Sequence, residues 1–194
     1  MKHLKLFESF KEEDIHTICR EYGIKNYTIN EDGSIDVVDG NTHLCFKKDL
    51  TKLPLKFRNV TSDFNCANNG LTSLEGCPKS VGGSFYCYSN QLTSLEDCPV
   101  SVSGSFSCRD NKITTFEHLP LSIGRDFRCS HNPIYNIWEL FEDYSKIELF
   151  NYYDIIQDKY PLLNIYVIIL DRLNIFLEEI GKKPVTEVKG YKCI

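Results

Sequence analysis

The chain has 194 residues, 42% hydrophobic and 25% charged, enough apolar material for one folded domain or one continuous repeat array. A formal net charge of −5 argues against general nucleic-acid binding. The longest apolar run, Leu162 to Leu170, is interrupted by Asn164 and is too short to span a bilayer, so no membrane partner is expected.

The first 43 residues read as a helix followed by a β-hairpin. Ser9-Phe10-Lys11-Glu12 has the form of a capping box, Phe10, Ile15, Ile18, Cys19 and Tyr22 give one apolar helical face, and Gly23 supplies a stop. Tyr27-Thr28-Ile29 and Ile35-Asp36-Val37 then flank Asn30-Glu31-Asp32-Gly33-Ser34, a strand–turn–strand pattern. The opening stretch, Met1 to Glu8, breaks its apolar residues with charge early, which argues against a secretory leader. Nine cysteines is an odd count for a disulfide framework, and most of them fall on a repeating core position, so reduced thiols are expected.

Residues 44–134 repeat with a period of 21. Leu50, Leu71, Leu92, Ile113 and Ile134 form one register; Leu53, Leu74, Leu95, Phe116 and Ile137 another; Val60, Val81, Val102 and Ile123 a third. Phe64, Phe85, Phe106 and Phe127 recur in the same way, as do Cys66, Cys87, Cys108 and Cys129, and Asn69, Asn90, Asn111 and Asn132. From the phenylalanine, each unit reads F-x-C-x-x-N-x-L-x-x-L. Alternation makes F-x-C a short strand with Phe and Cys inward, and a buried Asn after the turn is positioned to bond the backbone groups that the turn leaves unpaired. The stretch from Cys77 to Gly83, with Pro and Gly and no helical period, reads as extended. Unit 50–70 departs from the pattern, with Lys56 and Phe57 where later units hold Cys and Pro. An earlier degenerate unit is expected too, since Cys45 lies 21 before Cys66, although His43 and Lys48 stand where Phe and Asn recur.

The segments LTSLEGCPKSVGGSFYCYSNQ at 71–91 and LTSLEDCPVSVSGSFSCRDNK at 92–112 resemble the short leucine-rich repeats of bacterial and bacteriophage proteins, with Phe and Cys in two leucine places. That resemblance implies a leucine-rich-repeat solenoid of the α+β class. It would have a short parallel sheet on the concave face, an extended non-helical convex side, and helical caps at 1–43 and 135–194. In the C-terminal cap, Ile137, Leu140, Phe141 and Tyr144 have helical spacing, a second helix is expected near 146–157, and Leu170, Leu173, Leu177 and Ile180 mark a third, ended by Gly181. The resemblance also suggests a phage or bacterial factor, and the reduced thiols and the lack of a leader pattern point to the cytoplasm of a bacterial or infected host cell.

No catalytic motif is present. His3, His16, His43, His118 and His131 make no ligand-spaced pair, and nucleophile elbows, phosphate loops and dinucleotide fingerprints are missing. The cysteine ladder spreads its sulfurs along a line, whereas a metal needs about four ligands converging on a point, so no metal and no cofactor is expected. The outward positions of the strands are more informative. Units 71–91 and 92–112 share 14 of 21 residues, yet Tyr86 faces Ser107, Tyr88 faces Arg109 and Ser89 faces Asp110. The outward face is expected to hold Leu44 and Phe46, then Asp63, Asn65 and Ala67, and then the triads around Tyr86, Ser107 and Arg128. Phe46, Tyr86, Tyr88, Arg109, Arg128 and His131 are the candidate binding residues, because Tyr and Arg are common interface anchors. Drift of solvent-facing positions after duplication gives the same divergence, and both readings stand at this point.

A strand face about 20 Å by 15 Å presents roughly 300 Å², against ~800 Å² per partner in a standard protein interface. The first functional reading is a non-catalytic protein-interaction module that must recruit loops or ends around the face. The second is a binder of a small ligand or nucleotide, with tyrosine stacking on a base and Arg109 and Arg128 holding phosphate. The third is a structural protein that assembles with its own copies.

Overall fold

The computed structural model describes residues 12–47, 50–141, 157–160 and 165–194. Its architecture is parallel β-sheet with few helices. Ser9 of the expected capping box lies outside the described residues, as does the expected helix near 146–157 except for Gln157, which begins a strand.

Helix α1 (Glu12–Glu21) has Glu12, Glu13 and Asp14 in its first turn and Arg20 in its last, each sign complementing the helix dipole. It buries Ile15 and Cys19. Gly23 at φ +67° ends it: its N–H donates to the Arg20 carbonyl, and the Ile24 N–H reaches back to Cys19 at 2.8 Å, the paired bonds of a Schellman stop. Strands β1 (Tyr27–Ile29) and β2 (Ile35–Val37) form the expected antiparallel hairpin, with Thr28 opposite Asp36. Asp32 closes its turn by accepting the Ser34 N–H at 3.0 Å.

From here the chain alternates between two sheets. The phenylalanine segments form one: β3 (Thr42–His43), β5 (Phe64–Asn65), β7 (Phe85–Tyr86), β9 (Phe106–Ser107) and β11 (Phe127–Arg128), all parallel neighbours in sequence order. The valine segments form the other: β4 (Phe57–Val60), β6 (Ser80–Val81), β8 (Ser101–Val102) and β10 (Ser122–Ile123) extend the hairpin into six strands ordered β1-β2-β4-β6-β8-β10. Where sequence reading expected one sheet and a merely extended back, both sides are hydrogen-bonded ladders. The register explains why. With the same residue type recurring every 21 positions, Val81 pairs with Val60 and Val102, just as Phe85 pairs with Phe64 and Phe106. Gly82 lets this second ladder close up, since a Cβ there would lie 2.2 Å from the Thr61 carbonyl oxygen.

Between the sheets runs a column of rings. Phe57 meets Phe64 edge-on at 5.0 Å, Phe64, Phe85, Phe106 and Phe127 stack at 5.2 to 5.8 Å, and Trp138 closes the column edge-on against Phe127 at 5.0 Å. Such pairs add roughly 0.5–1.5 kcal/mol each beyond the area they bury. Phe57 thus turns the departure of unit 50–70 into a lid on the first ring. Cys66, Cys87, Cys108 and Cys129 are buried free thiols, as are Cys77 and Cys98. Burial raises the thiols of Cys87 and Cys108 well above their ordinary range and pushes Cys98 up to about 12, so these sulfurs stay protonated and inert.

The asparagines are clamps. Asn90 donates from Nδ2 to the carbonyls of Cys66 and Cys87, both at 3.0 Å, and accepts the Leu71 N–H at 3.0 Å. Asn111 does the same for Cys87, Cys108 and Leu92, and Asn132 for Cys108, Cys129 and Ile113. Each therefore ties its own turn to the turn before it.

The first unit does not follow the 21-residue count. Thr42 pairs with Phe64 and His43 with Asn65, an offset of 22, so Leu44 rather than Cys45 lies under Cys66. Leu44 is fully buried, which corrects its expected place on the outward face. Ala67 is buried too, against the same expectation.

After β11, the short helix α2 (Tyr135–Trp138) and a 3-10 turn (Glu139–Phe141) begin the C-terminal part. This part is not purely helical. Helix α3 (Leu170–Glu179), which buries Leu173 and Leu177, adjoins a three-stranded sheet of β12 (Gln157–Tyr160), β13 (Ile165–Ile168) and β14 (Lys192–Cys193). Tyr166 donates to Glu117 at 2.6 Å and Tyr191 to the Thr114 carbonyl at 2.9 Å, fixing this part to the last units. Among the described residues, no helix is long and apolar enough to cross a membrane.

Candidate functional site

The positions between and beyond the inward Phe and Cys residues form two rows, in which Ser107 and Ala67 are buried and the others are at least partly exposed. Asn65, Tyr86, Ser107 and Arg128 are cross-strand neighbours in one. Ala67, Tyr88, Arg109 and Ser130 form the other, just past the strand ends.

The second row is held rigidly from below. The Tyr88 carbonyl accepts the Asn68 N–H at 3.0 Å and Asn90 Nδ2 at 3.4 Å; the Arg109 carbonyl accepts the Ser89 N–H at 2.9 Å and Asn111 Nδ2 at 3.1 Å. The next residue in each turn, Asn68, Ser89, Asp110 or His131, sits in the left-handed region at φ 54° to 57°. This bend swings the following Asn inward and leaves the side chains at 88 and 109 beside one another. The clamp that stabilises the stack therefore also orients these two residues.

Three of the six expected residues come together. Tyr86 meets Tyr88 edge-on at 6.3 Å, and the Arg109 guanidinium carbon lies 5.4 Å from the Tyr88 ring centre. The Nε of Arg109 is buried and has no hydrogen-bond partner among the described residues. The other three lie apart. Arg128 is exposed and paired with Asp126 at 2.8 Å, two strands from Tyr86 with the buried Ser107 between them. His131 holds Asp110 at 2.6 Å through Nδ1. Phe46 is 72% exposed at φ +60°, at the edge formed by β3, in the place that Asn68 takes in the next unit.

Two acceptors on this face are occupied by backbone N–H groups. The Asp63 carboxylate accepts the Ser84 N–H at 2.7 Å, and the Asn65 amide oxygen accepts the Ala67 N–H at 3.0 Å. A sequence signal for these roles exists only in part, because an Asx side chain bonding its own loop looks the same as one that projects outward.

A second concavity was not foreseen. A cleft of about 430 Å³ lies beside β4 and is lined by Asp32, Lys56, Arg58, Glu75, Lys79 and Asp97, among others. It exists where unit 50–70 departs from the repeat. Lys56 bonds Asp32 at 2.8 Å, Arg58 binds Asp36, and Lys79 stands 4.0 Å from Asp97, so each cation already faces a carboxylate. The Lys56 ammonium holds the Asp32 carboxyl well below the usual range, and Arg58 lowers that of Asp36. Among the described residues, no group of three or more His, Cys, Asp or Glu side chains is arranged to hold a metal ion.

No protein-family model, curated protein or solved structure matches the chain.

Proposed function

We propose that the chain is a non-catalytic binding protein, a leucine-rich-repeat solenoid of the bacterial and bacteriophage type, that docks a protein partner on the Tyr86–Tyr88–Arg109 face. The observation that carries this reading is the guanidinium of Arg109 lying over Tyr88 beside Tyr86. Two aromatic rings and an arginine, fixed by backbone clamps, have the composition of an interface anchor. The small area of the strand face makes a partner reach beyond it, to the bordering His131–Asp110 turn or the Arg128–Asp126 pair. Nucleotide sequestration is the weaker alternative, because Arg109 and Tyr86 already occupy one face and the edge of the ring that would stack on a base. Self-assembly has no specific contact in its favour.

The test is capture from bacterial lysate by the full chain and by a Tyr88→Ala, Arg109→Ser double variant, with mass spectrometry of retained proteins and extracted small molecules. A stoichiometric protein held by the first and lost by the second supports the docking reading. Equal retention by both removes this face from the site, and a nucleotide eluted from the first alone replaces a protein partner with a ligand.

A further inference from the structure

The cleft beside β4 has three cations, each matched by a carboxylate, so its wall selects no sign of charge. Val100 and Leu121, 47% and 88% exposed, are neighbours on the valine side, but the charged residue beside them, Lys79, already stands near Asp97, so nothing there names an occupant. The Tyr86–Tyr88–Arg109 cluster holds one charged group, the Arg109 guanidinium, with no carboxylate paired to it among the described residues.

We infer that the segment docked there is an extended acidic peptide of the partner, with a carboxylate on Arg109 and an apolar or aromatic side chain on Tyr86. This inference rests on the docking reading. A local pairing, one carboxylate to one guanidinium, is its basis. Each carboxylate of the face has a hydrogen-bond partner other than Arg109: the Ser84 N–H for Asp63, His131 for Asp110 and Arg128 for Asp126. Arg128 spends its charge on Asp126. Among the described residues, the Arg109 guanidinium makes no ion pair and no hydrogen bond, so it is the cation that this face leaves unanswered. The guanidinium lies over the Tyr88 ring, and that contact already restricts the side chain before anything binds. A planar guanidinium in that state matches a carboxylate with two parallel hydrogen bonds, which an ammonium cannot do.

The shape of the occupant follows from spacing. Arg109 is one strand along from Tyr88 and Tyr86, and neighbouring strands are about 4.8 Å apart. Side chains on one face of an extended peptide are spaced by about 6.6 Å. The diagonal from Tyr86 to Arg109, one strand across and two residues along, is about 8 Å, so a carboxylate and an apolar residue two positions apart reach both groups only with the length of the acidic side chain making up the difference.

The probe is a phage-displayed library of random dodecapeptides selected on the full chain. Retained sequences are then synthesised with a fluorophore and titrated by polarisation. Expected are sequences with Asp or Glu two positions from an apolar or aromatic residue. Replacing that acid by its amide, or Arg109 by Ser, weakens binding by roughly tenfold or more. Arg109→Lys recovers part of the loss, and raising salt lowers affinity for the acidic peptide. Both truncations keep side chains that adjacent units already place in this row, Ser130 and Ala67, so folding is retained and is checked by melting temperature. Neutral or basic peptides that lose affinity with Tyr88→Ala overturn the acidic inference and leave the docking reading intact. A selection that retains no peptide overturns the extended-segment inference. Peptides indifferent to both Tyr88→Ala and Arg109→Ser overturn the docking reading itself.

Discussion

Units 71–91 and 92–112 and the first unit at 42–47 use the same asparagine clamp on different spacings. In the later units the clamp accepts an N–H 19 residues earlier, Leu71 for Asn90 and Leu92 for Asn111. In the first, Asn69 accepts the Lys47 N–H at 2.7 Å, 22 residues earlier, and still donates to the Leu44 carbonyl at 2.8 Å. From Thr42 to Leu50 there is one residue more than from Phe64 to Leu71. Phe46 keeps the left-handed turn that Asn68, Ser89, Asp110 and His131 make in the later units, and beyond it the Leu50 N–H closes a turn on the Lys47 carbonyl. What persists across the slip is backbone satisfaction rather than residue count. The ladder accepts an insertion as long as the clamp closes.

The largest expected effect tests that slip. If Leu44 lies under Cys66, then Leu44→Ala leaves a cavity in the core and costs about 2–5 kcal/mol, whereas Cys45→Ala, at a half-exposed site, costs well under that. Chemical denaturation of the two variants decides it. A larger loss for Cys45→Ala restores the 21-residue register and puts Leu44 back on the outward face.

The next effect separates the inner clamps from the edge one. Asn90→Ala or Asn111→Ala leaves the buried Leu71 or Leu92 N–H without its acceptor, at about 1–3 kcal/mol, while each clamped carbonyl keeps the donor from the neighbouring asparagine. Asn69 is only partly buried and water reaches its turn, so Asn69→Ala is expected to lower the melting temperature by less. Equal shifts in all three would mean that the edge is as well sealed as the middle.

A smaller effect lies on the other sheet, where Arg58 of β4 binds Asp36 of β2 and joins the hairpin to the repeat units. Arg58 depresses the Asp36 carboxyl below its unfolded value near 3.9. A depressed carboxylate contributes stability that is present above the unfolded value and lost as pH falls through the folded one. Melting temperature should therefore drop more steeply below about pH 4 in the wild type than in Arg58→Ala. Parallel acid limbs would show that water screens the pair, as it does for most exposed ion pairs.

How much was legible follows from the same contrast. The phenylalanine column, the buried thiols and the Asn clamps could be read because each recurs at fixed spacing and is fixed by stacking. The slip at 42–47 could not, because Cys45 falls by coincidence on the 21-residue count while the apolar Leu44 beside it is what packs. The second ladder was read only as extended chain, since a two-residue strand such as Ser80–Val81 is recognised by its neighbours, not by its own alternation. In the C-terminal part, the run from Leu162 to Leu170 is short and apolar, and periodicity alone does not separate a buried strand from a helix in such a run. Its β-branched residues Ile165, Val167 and Ile168 mark the strand that forms. At the site, the adjacency of Tyr88 and Arg109 was implied by register. The isolation of Arg128 was not, because its partner Asp126 is a local choice of rotamer and the intervening Ser107 is too small to bridge the gap.

The smallest expected effect on stability is at the candidate anchor itself, and it is the one that divides function from packing. Tyr88→Ala removes the edge contact to Tyr86 and the ring beneath Arg109, an exposed cation–π contact of roughly 0.5–1 kcal/mol. Arg109→Ser removes the same contact but also withdraws a buried, unpartnered Nε, which offsets the loss. Each variant should therefore unfold within about 1 kcal/mol of the wild type, Arg109→Ser closer than Tyr88→Ala, with a double-variant coupling of similar size to the cation–π contact. The asparagine clamps two residues on are untouched by either change, so the backbone under the site should hold. If either substitution instead lowers stability as much as Asn90→Ala does, then Tyr88 and Arg109 are members of the packed stack. Their divergence between two nearly identical units would then record repacking rather than a face kept for a partner.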